Sequence, residues 1–169
     1  AEQDVKAVAV CYLHAFTNSD HEEQTGTWFK EHLADMSVSL SSEVAPEIRE
    51  YERFSTTVVK ACLQPLVGAN TQRLVGALRQ SGYSGPFLTI ASNGGLLGED
   101  KVRAMPVRTV LSGPAAGIAA AHHLTRELGI DNYVTYDMGG TSSDVALVAD
   151  GRWPVKREPV LEGIMVKVP

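Results

Sequence analysis

Asp137 and Asp144 bracket Gly139-Gly140-Thr141-Ser142-Ser143, and this stretch has the residue types for phosphate chemistry. Two adjacent glycines leave no Cβ between their backbone N–H groups and a ligand. Successive turn amides form a concave nest for an anion. Thr141, Ser142 and Ser143 add hydroxyls. The flanking acids would repel a bare phosphate. Beside a phosphate cradle they make sense when a divalent cation lies between them, because Mg²⁺ binds through one or two carboxylates together with phosphate oxygens and water. The stretch therefore reads as a site for a nucleoside triphosphate and its metal. The plainer alternative is a hairpin whose Gly-Gly-Thr-Ser-Ser turn is only a turn, since Gly, Ser and Asp are ordinary turn residues.

The elements that must position these residues follow from periodicity. β-formers alternate from Tyr133 to Asp137 and resume at Val145, which predicts strand, tight turn, strand. Upstream, Val107 to Leu111 predicts a strand leading into Ser112-Gly113-Pro114, where Ser112 or Gly113 caps a helix with Pro in its first turn and Gly129 as its stop. A helix N-terminus without acidic side chains in its first turn is a second phosphate candidate. Phe87 to Ala91 reads as a buried strand running into Ser92-Asn93-Gly94-Gly95. A Gly-rich loop at the carboxyl end of a strand is where open α/β sheets hold ligands, although it also suits an unoccupied turn. His122-His123 sit mid-helix with no ligand-spaced partner and read as one packed and one exposed histidine.

The first part of the chain supplies the scaffold. Ala7 to Leu13 is a continuous apolar run suited to a parallel strand buried on both faces. Ser19 and Glu22 have capping-box spacing at the start of a helix reaching about Ala34. His21-Glu22 are adjacent on that helix and point about 100° apart, which disfavours a shared site. Met36 to Leu40 is a second short strand. Ile48, Tyr51, Phe54, Val58, Cys62, Leu66, Leu74 and Leu78 then keep helical spacing, with a kink or break expected at Pro65. After the hairpin, Ala149 to Arg152 is a turn, and Trp153 to Val160 an edge or irregular strand.

Composition bounds the partners. The 169 residues are one domain by size, 44% hydrophobic and 21% charged, with net charge −5. Nothing here suggests nucleic acid or an anionic membrane. No apolar run approaches the roughly 20 residues of a bilayer span. Cys11 and Cys62 lack metal spacing and read as buried, reduced thiols, with the cytoplasm as the expected location.

Asp-Met-Gly-Gly-Thr-Ser-Ser-Asp-Val (137–145) resembles the second phosphate-binding motif of the hydantoinase A/5-oxoprolinase family, within the actin-like ATPase superfamily. The resemblance covers nearly the whole chain, including Asn18 to Glu22, Ser41 to Val59, Ser92 to Leu96 and Arg108 to Gly117. It implies an α/β chain, part of an actin-like ATPase (ribonuclease H-like) fold. Residues 1–130 are then the later part of a first subdomain, and 131–169 the opening β-hairpin and third strand of a second. The chain is expected to be an internal piece of a longer protein. By the resemblance, Gly139, Gly140, Thr141 and Ser142 cradle ATP phosphates, and Asp137 holds Mg²⁺ directly or through water. Asp144 serves the metal and attacking water, or the turn. Asn93, Gly94, Gly95, Ser112 and Gly113 join the nucleotide site. The charged run 47–53 reads as a solvated helix face with i,i+3 and i,i+4 ion pairs, and the resemblance offers the alternative that Glu43, Glu50 and Arg53 face the interdomain cleft. The implied activity is opening of a small cyclic amide after phosphorylation of its oxygen. A ketone carboxylase subunit and a non-enzymatic ATP switch or interaction module are the alternatives. A hydantoinase B-type partner subunit and a homo-oligomer are the expected assemblies.

Overall fold

A computed structural model of the chain describes residues 5–140, 143–153, 160–161 and 163–167. β1 (Ala7–Val10) and β2 (Ser37–Leu40) pair in parallel, with α1 (Asp20–His32) crossing between them. This is the connection a parallel pair requires. The expected run of β1 to Leu13 stops at Val10 because the Tyr12 N–H turns away to Glu22 Oε1 (2.8 Å) and its carbonyl to Arg53 (2.9 Å). α1 packs on β2 at Gly26, where a Cβ would stand 3.2 Å from the Leu40 methyls. Its capping box does not form: the Ser19 hydroxyl donates to Glu23, and Glu22 is fully buried.

After the short α2 (Ser41–Val44), α3 runs unbroken from Glu50 to Gln80, with Pro65 inside it. The missing Pro65 hydrogen bond does not break the helix, which packs along its length on β1, β2 and later elements. Its buried face is polar: Glu52, Arg53, Thr56, Thr57, Lys60 and Thr71 lie inside. Tyr51, Val58, Cys62, Leu66 and Leu74, from the apolar-spaced set, are exposed. So Cys62 is not the buried thiol expected; Cys11 is partly covered.

One expected strand is present with a partner not foreseen, and one is not a strand. The strand expected from Phe87 to Ala91 is β3 (Leu88–Ile90), exposed at Leu88 where burial was expected, and it turns back through the 92–95 loop to pair antiparallel with β4 (Leu96–Gly98), Ile90 opposite Leu96. After α4 (Glu99–Ala104), residues Pro106–Thr109 form a 3₁₀ turn where a strand from Val107 to Leu111 was expected. Pro106 at the turn's first position suits that geometry, and Thr109 Oγ1 closes it onto the Pro106 carbonyl. α5 (Ser112–Glu127) follows, with Pro114 in its first turn and Gly129 at φ +68° ending it as expected.

β5 (Tyr133–Met138) and β6 (Ser143–Val148) form the central antiparallel ribbon, in register from Tyr133 opposite Val148 to Met138 opposite Ser143. The turn at 149–152 closes its base, Gly151 N–H donating to the Asp131 carbonyl. Residues 154–159, most of the expected third strand, lie outside the described residues. β7 (Val160–Leu161) pairs with β8 (Ile164–Met165). The chain then returns to α3: Ser55 Oγ donates to the Met165 carbonyl, and Lys167 N–H to Thr56 Oγ1. Val166 is fully buried against Val107, with Val59 and Val110 beside them. No described helix is long and apolar enough to cross a membrane.

Candidate functional site

The ribbon sets Asp137 and Asp144 directly opposite each other. Opposed residues of an antiparallel pair share a face, with Cβ atoms about 4.5–5.5 Å apart, and like charges so placed repel. Both are exposed. The Asp137 carboxylate points to α5: a Cβ on Gly117 would lie 4.0 Å from Oδ2. The small residues of Ser-Gly-Pro-Ala-Ala-Gly thus bring the helix close to the ribbon. Between them lies a cleft of about 520 Å³, lined by Pro114, Gly117, Ile118 and Ala121 on one side and by Thr135, Asp137 and Asp144 on the other.

The remaining predicted residues fall around the same helix. Gly94 packs on it, with Ala119 Cβ 3.7 Å from a virtual Cβ. The 92–95 loop is closed on itself: Gly94 N–H donates to Ala91 O (2.9 Å), Gly95 N–H to Asn93 Oδ1 (2.9 Å), and Ala91 N–H to Gly95 O (2.8 Å). The Gly94 and Gly95 amides are therefore committed within the loop. Ser112 and Gly113 open α5 after Leu111, whose backbone is left-handed at φ 61°, and no side chain caps the helix. Gly140 is exposed; a Cβ there meets open space. Thr141 and Ser142 lie outside the described residues. His122 is the packed histidine, edge-on to Trp153 (4.6 Å between ring centres) and 3.3 Å from the Tyr133 hydroxyl, while His123 is exposed.

Mg²⁺ fits this donor set only in company with phosphate oxygens. No described group of three or more His, Cys, Asp or Glu residues could hold a metal on its own. Two opposed carboxylates facing a cleft supply the one or two protein ligands Mg²⁺ takes beside phosphate. A bound cation would also relieve their mutual repulsion.

Spacing missed a second cluster, because the Ser19/Glu22 interval read as a helix cap. Glu22 accepts from Ser41 Oγ (2.6 Å), Ser42 N–H (2.8 Å) and Tyr12 N–H (2.8 Å). Burial pushes its carboxyl pKa up, but these donated bonds outweigh burial and hold it below the ordinary value. Arg53, expected to face a cleft, is fully buried and donates to Ser41 Oγ (3.1 Å), Glu47 O (3.1 Å) and Tyr12 O (2.9 Å). The clue available in the sequence was the excess of Thr, Arg and Glu among apolar-spaced residues of α3.

The hydantoinase/oxoprolinase family model matches residues 53–169, and the chain belongs to that family. It is 39% identical over 151 residues to the caprolactamase subunit alpha of Pseudomonas jessenii, covering 89% of this chain and 22% of the relative. It is 31% identical over 166 residues to 5-oxoprolinase of Saccharomyces cerevisiae, covering 98% of this chain and 13% of that enzyme. The nucleotide-free structure of acetone carboxylase, from work on ATP-dependent acetone carboxylation, superposes with TM-score 0.83 at 25% identity over 98% of this chain and 24% of that one. The chain thus spans about a fifth or less of the length of these relatives.

Proposed function

We propose that this chain is the phosphate-binding part of an ATP-dependent cyclic-amide hydrolase. The observation that carries the reading is the opposed Asp137–Asp144 pair on a Gly-Gly turn facing the α5 cleft, in a chain akin to a caprolactamase subunit and a 5-oxoprolinase. In the proposed reaction the lactam oxygen attacks the γ-phosphorus and ADP leaves. Water adds to the activated carbon, and the C–N bond breaks to give an acyl phosphate. A second water releases phosphate and the amino acid. Gly139, Gly140, Thr141 and Ser142 receive the phosphates, and Asp137 holds Mg²⁺, directly or through water. Asp144 orients water or completes the metal's shell. Asn93, with Gly94 and Gly95 shaping its loop, and Ser112 and Gly113 at the uncapped α5 start, border the nucleotide. Bound Mg²⁺ supplies charge neutralisation on the transferring phosphoryl group.

On this reading the chain is part of an actin-like ATPase, with residues 1–130 ending one subdomain and 131–169 opening the next. It works in a longer polypeptide, self-associated and with a hydantoinase B-type partner subunit. The superposition on acetone carboxylase favours one second reading, an ATP-dependent ketone carboxylase subunit. The test is ADP release by the intact polypeptide with Mg-ATP and a lactam or a ketone. Lactam-dependent turnover, lost by several kcal/mol of transition-state stabilisation in Asp137→Asn, is the expected result. Near-normal turnover by folded Asp137→Asn removes the metal assignment, and ketone-dependent turnover selects the second reading.

A further inference from the structure

The cleft between α5 and the ribbon has two chemically different ends. At one end Asp137 and Asp144 stand opposite each other, and the Asp137 carboxylate reaches towards Gly117. Among the described residues neither carboxylate has a bonding partner, so both are open acceptors. Away from that end the walls are apolar: Pro114, Ile118 and Ala121 from the helix, and Ala146 from the ribbon. The threonine hydroxyls there are already committed. Thr135 Oγ1 donates to the Ala146 carbonyl (3.4 Å), and Thr125 Oγ1 to the carbonyls of Ala121 (2.9 Å) and His122 (3.2 Å). No Lys, Arg or His is among the described residues that line the cleft.

This division fits one kind of occupant. The volume of about 520 Å³ lies in the range of small-molecule pockets, roughly 300–1,000 Å³. Apolar walls without a free donor favour CH groups and penalise unpaired polar ones. A carboxylate on the ligand would meet two acids at one end, or lose its water against Ile118 and the alanines elsewhere. No cation stands by to offset either cost. Rows of residues on one face of a strand are roughly 7 Å apart. A ring held by its polar edge at the Asp137–Asp144 row therefore lies over the next row, Thr135 opposite Ala146. Ala121 follows Gly117 by one helical turn, about 6 Å, and lines the same cleft from the helix side.

We propose that this cleft holds the amide beside the phosphate turn, and that it selects uncharged lactams with a hydrocarbon ring over lactams that carry a carboxylate. A lactam is a cis amide, so its N–H and carbonyl lie along one edge. With that edge at the acids, the N–H donates to a carboxylate of the pair and the oxygen lies beside the turn that receives phosphate. An ionised carboxylate has acceptor capacity for a metal and an N–H together. Ala121 and Ala146 set the specificity, because their small side chains leave the room that the ring methylenes take. The proposal rests on the cyclic-amide reading above and names the substrate class within it.

The experiment is calorimetric titration of the intact polypeptide, without nucleotide, against ε-caprolactam, 2-pyrrolidone and 5-oxoproline. The last two share one ring and differ by a carboxylate, so their comparison isolates charge from size. Both uncharged lactams are expected to bind, 2-pyrrolidone at least tenfold more tightly than 5-oxoproline. Ala121→Leu is expected to weaken ε-caprolactam at least tenfold while Mg-ATP affinity stays within about twofold, a split that general loss of structure would not give. Ala146→Val narrows the cleft from the ribbon side with a residue that strands favour. It should act in the same direction even when Ala121→Leu fails to fold. The proposal is overturned by 5-oxoproline binding as tightly as 2-pyrrolidone, by no binding of the uncharged lactams, or by wild-type ε-caprolactam affinity in both variants. ADP release from Mg-ATP separates it from the reading it rests on. Release driven by 5-oxoproline and untouched by Ala121→Leu would keep the cyclic-amide reaction and remove the cleft. Binding of ε-caprolactam that Ala121→Leu weakens, without lactam-dependent release, would keep the cleft and remove the reaction.

Discussion

A buried carboxylate with no direct cation contact needs an accounting, and Glu22 has one: three donors reach its two oxygens. Glutamine would turn an amide N–H₂ toward those donors, so Glu22→Gln should destabilise the chain by about 1–3 kcal/mol at pH 7. The folded pKa lies below the ordinary 4.5, so this stabilisation is complete above that value and is lost as pH falls through the folded pKa. Urea melts from pH 7 to pH 3 should show the gap between wild type and variant closing below about pH 4.5. A gap constant across that range would contradict the assignment. Gly140 makes the opposite case. With no left-handed φ and open space at its Cβ, Gly140→Val should leave melting within about 0.5 kcal/mol. In the intact polypeptide it should nonetheless weaken Mg-ATP at least tenfold, because the new methyls stand where phosphate approaches. Melting and titration on one preparation separate the two effects. That Asp137 and Asp144 stand opposite each other was legible because the pairing is local to one turn. The buried cluster of Glu22 and Arg53 was not, because Tyr12, which both of them hold, lies 10 and 41 residues away.

Among the elements, α3 explains where reading by periodicity stops. Apolar spacing locates a helix correctly but assigns its faces by assuming an apolar core. Here the inner face carries Arg53, Thr56, Thr57 and Lys60, each bonded to an earlier element or to its own helix. The 3₁₀ turn and the β4 partner of β3 escaped for another reason. Short apolar runs fit several elements, and tertiary neighbours decide among them. The ribbon and α5 were legible because alternation, Pro114 and Gly129 all agreed. Lys60 offers an element-level test. Burial lowers its pKa and Glu43 raises it less, so its charge is a cost in the folded state at neutral pH. Lys60→Met should raise the unfolding free energy by about 1 kcal/mol at pH 7, since Ser39 Oγ keeps Gln64 as a partner (3.4 Å). The wild type regains ground as pH rises from the lowered folded pKa towards 10.5, where deprotonation relieves the cost. Denaturant midpoints at pH 7 and pH 10 measure it, and an unchanged or lower midpoint at pH 7 would refute it.

For the whole molecule, the outer face of the ribbon is the prominent surface. Val134, Tyr136, Met138, Val145 and Leu147 lie on it, each 60–72% exposed, although a lone two-stranded ribbon is marginal in water. The 169 residues alone should therefore self-associate, and Val145→Lys with Leu147→Lys should shift them towards monomer in sedimentation. The same isolated chain should not hydrolyse ATP, because phosphoryl transfer depends on holding nucleotide, metal and acceptor together, and on the proposed reading the 137–144 turn is only one part of that site. Micromolar Mg-ATP binding with phosphate release would show that it contains a complete site. The fastening of residues 163–167 to α3 bears on the order in which the molecule is made. Ser55 meets Met165 across 110 residues and Thr56 meets Lys167 across 111. Closing a loop of that size costs about 4 kcal/mol of chain entropy, and the contacts that repay it exist only once Val166 has emerged from the ribosome. Until then Val59, Val107 and Val110 wait without their cover, so a chain stalled before Val166 leaves these valines open to water.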